Sequence, residues 1–412
     1  MKNSKILLRS AVLIFASLNI MLLTSCGKAK DQVKISVWSD ERNAPVIEEG
    51  IEKFKELHKK EVDIEYTISL EGEVTIKDMV LSDVENAADL YAFADDQFND
   101  LYKAGALLEI TDNVDGVLAE VGGREAGVAD IVTVDGKMYA YPETAGNGYF
   151  LYYNKAYFTE DDVKSLDKIL EICRKNNKKF TYDFSSGWYL YGFFRGAGMT
   201  LGLNEDGTAN ICDWNRTDGE YTGSDVAEAL LKITEDPGFI SLGDDGFLAE
   251  AENGNVIAGV NGPWNAEKIQ SFWGDDYAAA KLPTYTVKGN QVQMYSFMGY
   301  KLLGINSTTK NPEWCMKLAE YLTNEENQLK RFEVIGESPV NVKAAQDERV
   351  KAAPAVAALA EQSRFSNVQS VAAPFWDASQ KLGVTLAAGN PDGRDLQELL
   401  DDMVKEATAK AE

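Results

Sequence analysis

Between Val33 and Gly105 the apolar residues keep switching period, and that alternation restricts the fold more than any other feature of the chain. Val33-Lys34-Ile35-Ser36-Val37-Trp38 alternates as a half-buried strand does. Pro45 then opens a stretch in which Ile47, Ile51 and Phe54 recur at helical spacing. Asp63 to Ile68 reads as a strand, Thr75 to Val84 as a helix, Asp89 to Asp96 as a strand, and Gln97 to Ala104 as a helix stopped by Gly105. Such a succession predicts parallel strands with helices on both faces and a ligand crevice at the strands' carboxyl ends. The loop tips in that crevice are Ser39-Asp40-Glu41-Arg42 and Phe93-Ala94-Asp95-Asp96-Gln97.

A second α/β unit follows. Asp135-Gly136-Lys137 makes a hairpin turn, and Gly146-Asn147-Gly148 is a run of small residues suited to a hinge. Leu166 to Asn176 is helical, Phe180 to Asp183 a strand, and Ser185-Ser186-Gly187-Trp188 opens another helix. Gly202 to Gly223 reads as a hairpin excursion, after which Ser224 caps a helix over Val226 to Thr234. The unit closes on Val256-Ile257-Ala258-Gly259-Val260-Asn261-Gly262-Pro263-Trp264, a run the length of a buried strand that Asn-Gly-Pro stops abruptly, leaving a Trp at its carboxyl end. Lys281 to Gln293 reads as a further crossing between lobes, Tyr295 to Ile305 as one strand, and the chain beyond Pro339 as wholly helical. No single linker separates the units, so the pattern implies two lobes joined by several crossings.

The first 25 residues read as processing rather than structure. Lys2, Lys5 and Arg9 precede the apolar run Ala11 to Leu23, and Leu23-Thr24-Ser25-Cys26-Gly27 resembles a bacterial lipobox. That pattern implies cleavage before Cys26, a lipid such as palmitate on the mature N-terminus, a tether over residues 26–32, and a location outside the cytoplasmic membrane. Loss of the three cations takes the formal charge from −25 to −28, which disfavours nucleic acid and anionic headgroups as partners. Cys173, Cys212 and Cys315 lack Cys-x-x-Cys spacing and read as buried small hydrophobes or one bridge, not a metal site. His58, the only histidine, sits in Leu57-His58-Lys59-Lys60 at a helix end and cannot supply the base of a Ser-His-Asp triad together with a second histidine. Neither a metal nor a cofactor is expected.

Several segments, taken in order, resemble the maltose- and maltodextrin-binding proteins of ABC importers, within the sugar-binding extracellular solute-binding proteins. They are Lys34 to Trp38, Ala88-Asp89-Leu90 through Gly105 to Ile110, Gly136 to Pro142 with Tyr153-Asn154-Lys155, Asn261 to Trp264, Leu282-Pro283-Thr284, and Ala373-Pro374-Phe375-Trp376. The resemblance spans essentially the whole mature chain. It implies an α/β, periplasmic-binding-protein-like fold: two Rossmann-like lobes joined by a multi-crossing hinge, with the ligand cleft between them. The corresponding boundaries are 33–144 plus 292–341 for one lobe and 145–291 plus 342–412 for the other. It further implies that Trp264, Trp376, Trp188 and Phe93 stack on sugar faces, that Asp96 binds sugar hydroxyls, and that Asp40 and Arg42 lie in the first polar loop. The sequence departs from the maltose binders at Gln97, Asn147, Ser186 and Gln380, where that family carries charged groups. Gln97, Asn147, Asp377 and Gln380 complete the candidate polar rim.

The chemistry agrees with a carbohydrate. A pyranose presents weakly polar C–H faces and a rim of hydroxyls, so its site needs flat aromatics beside Asp, Asn, Gln or Arg. Carboxylates accept hydroxyl protons in charge-assisted bonds, stronger than neutral ones. The expectation is a monomeric, non-enzymatic binding protein that hands an oligosaccharide, of the α-glucan type, to ABC permease subunits. The alternatives are a binder of another oligosaccharide, a polyamine, a peptide or a metal, and a secreted glycoside hydrolase, for which no pair of carboxylates stands out.

Overall fold

A computed structural model describes residues 30–205 and 207–410. The leader, the lipobox and Cys26 lie outside the described residues, and among those described no helix is long and apolar enough to cross a membrane. The expected alternation appears in order: β1 (Asp31–Ser39), α1 (Ala44–His58), β2 (Val62–Leu70), α2 (Glu73–Ser82), β3 (Leu90–Ala94) and α3 (Phe98–Lys103). Along β1 the residues Val33, Ile35, Val37 and Ser39 point inward while Lys34 is exposed, as period-2 patterning dictates. Pro45 stands in the first turn of α1, where a missing N–H costs nothing, and Gly105 adopts φ +66 beyond α3. β4 (Ala140–Thr144) completes the run before the chain leaves this lobe.

The second unit contains β5 (Phe150–Asn154), α4 (Leu166–Lys175), β6 (Lys179–Thr181), α5 (Gly187–Gly196), α6 (Gly223–Thr234), β7 (Phe239–Ile240), α7 (Asp244–Glu252), β8 (Val256–Asn261) and β9 (Tyr277–Ala280). The chain then returns through β10 (Lys301–Ile305), α8 (Pro312–Leu322) and α9 (Glu325–Ile335), and ends on α10 (Pro374–Ala387) and α11 (Leu396–Ala407). One five-stranded sheet has the order β2-β1-β3-β10-β4, the other β7-β6-β8-β5-β9. In the first, β1 is parallel to β2 and β3, and β10 is antiparallel to β3 and β4; in the second, β8 is parallel to β6 and antiparallel to β5. The mostly parallel expectation therefore holds for the first three strands, and each sheet carries reversed strands besides.

Each sheet has its own core. Ile35, Ile51, Leu90, Tyr141, Leu302 and Leu318 belong to one, and Leu151, Phe180, Leu190, Val260, Phe375 and Leu400 to the other. β8 is buried along its full length, which a strand covered on both faces requires. A side chain at Gly259 would come within 2.6 Å of Thr181 and 2.8 Å of Phe247, so only glycine lets α7 and β6 close on this strand.

Four local expectations are corrected. Lys281 to Gln293 is not a crossing but a hairpin (Thr284–Val287, Asn290–Gln293) whose Tyr285 and Val287 pack in the second core. The expected single strand from Tyr295 splits into Ser296–Met298 and β10, because Phe297 belongs to the second core and Leu302 to the first; the return to the first lobe thus falls near Gly299, later than residue 292. Thr222, not Ser224, caps α6 through a reciprocal capping box with Asp225. Beyond Pro339 a short strand, Ser366–Val368, interrupts the helices by pairing with Ser296–Met298. Cys173, Cys212 and Cys315 are free thiols, the first and last buried.

Candidate functional site

The strand directions bring one edge of each sheet to face the other. On the first lobe that edge carries the loops after β1, β3 and β4 and the residues entering β10; on the second it carries the loops after β6 and β8. Most residues singled out in the sequence lie on these loops.

The second lobe contributes an aromatic face. β8 ends at Asn261, and the ring of Trp264 folds back over Gly262, where a Cβ would sit 1.9 Å from the indole; the glycine is required for this ring position. Asp244, the first residue of α7, holds the ring in place: its Oδ2 accepts the Trp264 indole N–H at 2.8 Å and its Oδ1 accepts from Asn261 at 2.9 Å. The Tyr152 hydroxyl donates to the Gly262 carbonyl at 2.8 Å, tying the turn to the neighbouring strand. Trp188, at the start of α5, lies 5.8 Å from Trp264 with the planes at 37°. That spacing is an ordinary aromatic contact, so the two rings form one bent surface rather than a slot. Tyr149 and Tyr189 back Trp188 edge-on.

The first lobe contributes a polar face. Asp40 Oδ1 accepts the backbone N–H groups of Arg42 and Asn43 at 2.9 and 3.1 Å, which shapes the turn before α1 and leaves Oδ2 buried without a partner. Arg42 reaches across to the second lobe, donating from Nη1 to the Trp264 carbonyl at 3.1 Å, and its other nitrogens lie 3.5 Å from Glu337 and 3.8 Å from Asp40. Glu337 is buried and also pairs with buried Lys301. Thr144 Oγ1, Ser338 Oγ and Asn265 Nδ2 are likewise buried without partners around this seam. A buried donor or acceptor left unpaired costs about 1–3 kcal/mol, so the seam carries a local energetic cost.

Beside this seam a cavity of about 470 Å³ opens between the lobes, bordered by Asp96, Lys103 and Asp130 on one side and Thr208 and Gln369 on the other. Lys103 donates to the Gly207 carbonyl at 3.4 Å across it. Burial pushes the Asp96 carboxyl above its ordinary range, and a hydrogen bond with Gln369 pulls it part of the way back. The adjacent Asp95 is shifted further: burial and the Asp96 charge push it well up, the backbone N–H groups of Tyr300 and Asp96 offsetting only part, and neither carboxylate oxygen reaches a partner at hydrogen-bonding geometry. The Gln369 side chain also accepts the Trp188 indole N–H, so it links the carboxylate of one lobe to the aromatic face of the other.

The structure thus brings Trp264, Trp188, Asp40, Arg42 and Asp96 to the facing edges. Asn147 lies on the first crossing, half-buried, donating its N–H to the Gly299 carbonyl at 3.3 Å. Trp376 is half-buried at the start of α10 and takes its ring contacts from Phe297 and Phe375 rather than from the Trp188 pair. Phe93 is a correction: fully buried, it packs against Tyr91 in the first core, because in β3 it points into the sheet's covered face. Gln97 is buried within the turn Asp95–Gln97. Asp377 and Gln380 are both exposed on α10, while Phe375, Ala378, Ser379 and Leu382 carry its buried face. Sequence reasoning missed Asp244, Glu143, Glu337, Ser338 and Gln369. Their only sequence signal is residue type, and several reach the seam through pairings between widely separated segments, as for Trp188 with Gln369 and Arg42 with Glu337. No cluster of His, Cys, Asp and Glu among the described residues is arranged to hold a metal.

Comparison with known proteins gives the frame for this geometry. Residues 50–358 match the model of the bacterial extracellular solute-binding proteins. The chain is 26% identical over 395 residues to the galactooligosaccharide-binding protein of Bacillus subtilis (strain 168), covering 90% of both chains. It superposes on a structure solved with acarbose at a TM-score of 0.80 and 28% identity, covering 92% of this chain and 99% of that one. Against the ligand-free maltodextrin-binding protein MalE1 of L. casei BL23 the TM-score is 0.76 at 25% identity, covering 91% and 99%. The expected two-lobed fold with an interlobe cleft is thereby borne out. With three quarters of its length inside one family model, the chain belongs to the bacterial extracellular solute-binding proteins.

Proposed function

We propose that this protein is the solute-binding subunit of a carbohydrate ABC importer, capturing an oligosaccharide outside the cytoplasmic membrane and delivering it to the permease. The observation that carries this reading is the opposition of the bent Trp188–Trp264 surface to the Asp40–Arg42 turn, a flat apolar face against hydrogen-bonding groups. Trp264 and Trp188 stack on sugar faces, Asp40 and Asp96 accept hydroxyl protons, Arg42 and Asn147 complete the rim, and Trp376 contributes a further apolar edge. Both lobes touch the sugar only when closed, so binding shifts the population toward the state that the permease reads. The three crossings, near Gly146–Gly148, Gly299 and 342–355, are where the chain bends. The ligand is a maltooligosaccharide or a galacto-oligosaccharide, the two classes named among its relatives. The protein is a monomeric binder, not an enzyme, and it is held to the membrane by a lipid on Cys26.

Calorimetry on the mature chain against maltotriose, galactotriose and spermidine tests this reading, with a product assay on the same mixtures. Saturable binding of one sugar without hydrolysis is expected. Binding of spermidine alone, or cleavage of the sugar, would overturn it.

A further inference from the structure

The Asp40–Arg42 turn does not stand alone. Directly behind it, Asn43 is buried and engaged on both ends of its amide: Nδ2 donates to Glu143 Oε1 at 3.2 Å, and Oδ1 accepts from Arg331 Nε at 3.0 Å. Arg331 Nη2 closes the triangle on Glu143 Oε1 at 2.6 Å. Asn43 in turn is fixed to Asp40 through its backbone N–H, and its carbonyl accepts from Val46 and Ile47 in the first turn of α1. The chain of contacts runs from α9 and β4, through Asn43, to the carboxylate and guanidinium that face the second lobe.

As a stabilising device this triangle is poor. Glu143 and Arg331 are 0% and 1% exposed, and Glu143 Oε2 and Arg331 Nη1 have no partner. A buried ion pair must repay the desolvation of both charges, and one left half-satisfied does so badly; well-packed apolar residues in its place are often no less stable. What the pair supplies is direction. Oε1 of Glu143 and Nε of Arg331 together admit a single orientation of the Asn43 amide, and the residue so anchored donates its backbone N–H to Asp40 Oδ1, which fixes the carboxylate beside Arg42.

We infer that Glu143, Arg331 and Asn43 are positioning residues for ligand recognition: they do not touch the solute but hold the Asp40–Arg42 turn in register with Trp264. The inference rests on the sugar-binding reading above.

The test is a mutant cycle on the mature chain, with maltotriose as the probe, or galactotriose if the wild type binds it more tightly. Glu143→Gln combined with Arg331→Met removes both charges together, so no buried charge is orphaned. This variant is expected to bind roughly ten-fold more weakly at a temperature where it is fully folded. The same pair placed on Asp40→Ala is expected to cost nothing beyond Asp40→Ala itself, because the path ends at that carboxylate. A merely structural role gives an unchanged affinity in the folded protein, or a loss that adds in full to that of Asp40→Ala; either overturns the inference. Should the charge-removal pair fail to fold, Asn43→Ala, which cuts only the link, is judged by the same two criteria. If Asp40→Ala binds like wild type, the inference falls while sugar binding stands; if wild type binds no sugar, the functional reading itself falls.

Discussion

The two faces of the cleft are built by opposite means. On the second lobe, Trp188 and Trp264 present broad apolar area placed mostly by residues of the same lobe, with Gly262 beneath one ring, Asp244 on its indole and Tyr149 and Tyr189 against the other, and with one distant tie from the Trp188 indole to Gln369. On the first lobe, Asp40 and Arg42 present little area, and their direction depends on Asn43, Glu143, Arg331 and Glu337, gathered from widely separated segments. An aromatic anchor works through the area it takes from water and tolerates small displacements. A hydrogen-bonding group works through angle and distance, so it needs support behind it. The contrast teaches that affinity and selectivity have different structural costs, the first local and the second distributed.

The sharpest way to break that contrast is Trp264→Ala. Removing the anchor is expected to cost about 2 kcal/mol or more in sugar affinity, roughly thirty-fold, with a smaller effect on folding. Calorimetry paired with a melting curve reads both, and near-normal affinity with a collapsed melting temperature means that the indole is packing instead. Asp244→Asn asks whether the anchor needs its local support. It replaces a charged acceptor of the indole N–H by a neutral one and is expected to lower affinity several-fold, about 1 kcal/mol. An unchanged affinity shows that Gly262 alone sets the ring.

Asp95 probes the polar side through stability. Its carboxyl is held well above the ordinary range by burial and by Asp96, so the folded chain binds that proton more tightly than the unfolded one. Stability from this group is then fully present below the ordinary carboxyl range, near pH 4, and is lost as pH rises from there toward the raised folded value. Asp95→Asn should stabilise the protein by about 1–2 kcal/mol at pH 7 and not at all near pH 4. Equal melting temperatures at pH 7 contradict this. The smallest effects are expected at the rim: Asp377→Ala and Gln380→Ala, both exposed, should change affinity by less than about 0.5 kcal/mol. A ten-fold loss at either would place that side chain against the ligand.

What the chain declares by itself is whatever short-range pattern decides. The alternation from Val33 to Gly105 predicted three parallel strands and their helices, and the run from Val256 to Trp264 predicted a buried strand with an indole at its carboxyl end, because side-chain period and backbone punctuation are local properties. The passage from one sheet to the other at Gly146 to Gly148 follows a run of small residues visible in the sequence. Patterning failed where two cores compete for one stretch: nothing between Tyr295 and Ile305 says that Phe297 belongs to the second lobe and Leu302 to the first. It failed again at Phe93, since an aromatic at a strand end is equally suited to a core and to a cleft until the sheet's covered face is known. The distant partners of Asn43 and Trp188 lay beyond reach altogether. Arg331 meets Asn43 across 288 positions and Gln369 meets Trp188 across 181; a hydrogen bond leaves no periodic trace along the chain, so only the folding of the two lobes against each other decides which polar groups become a site.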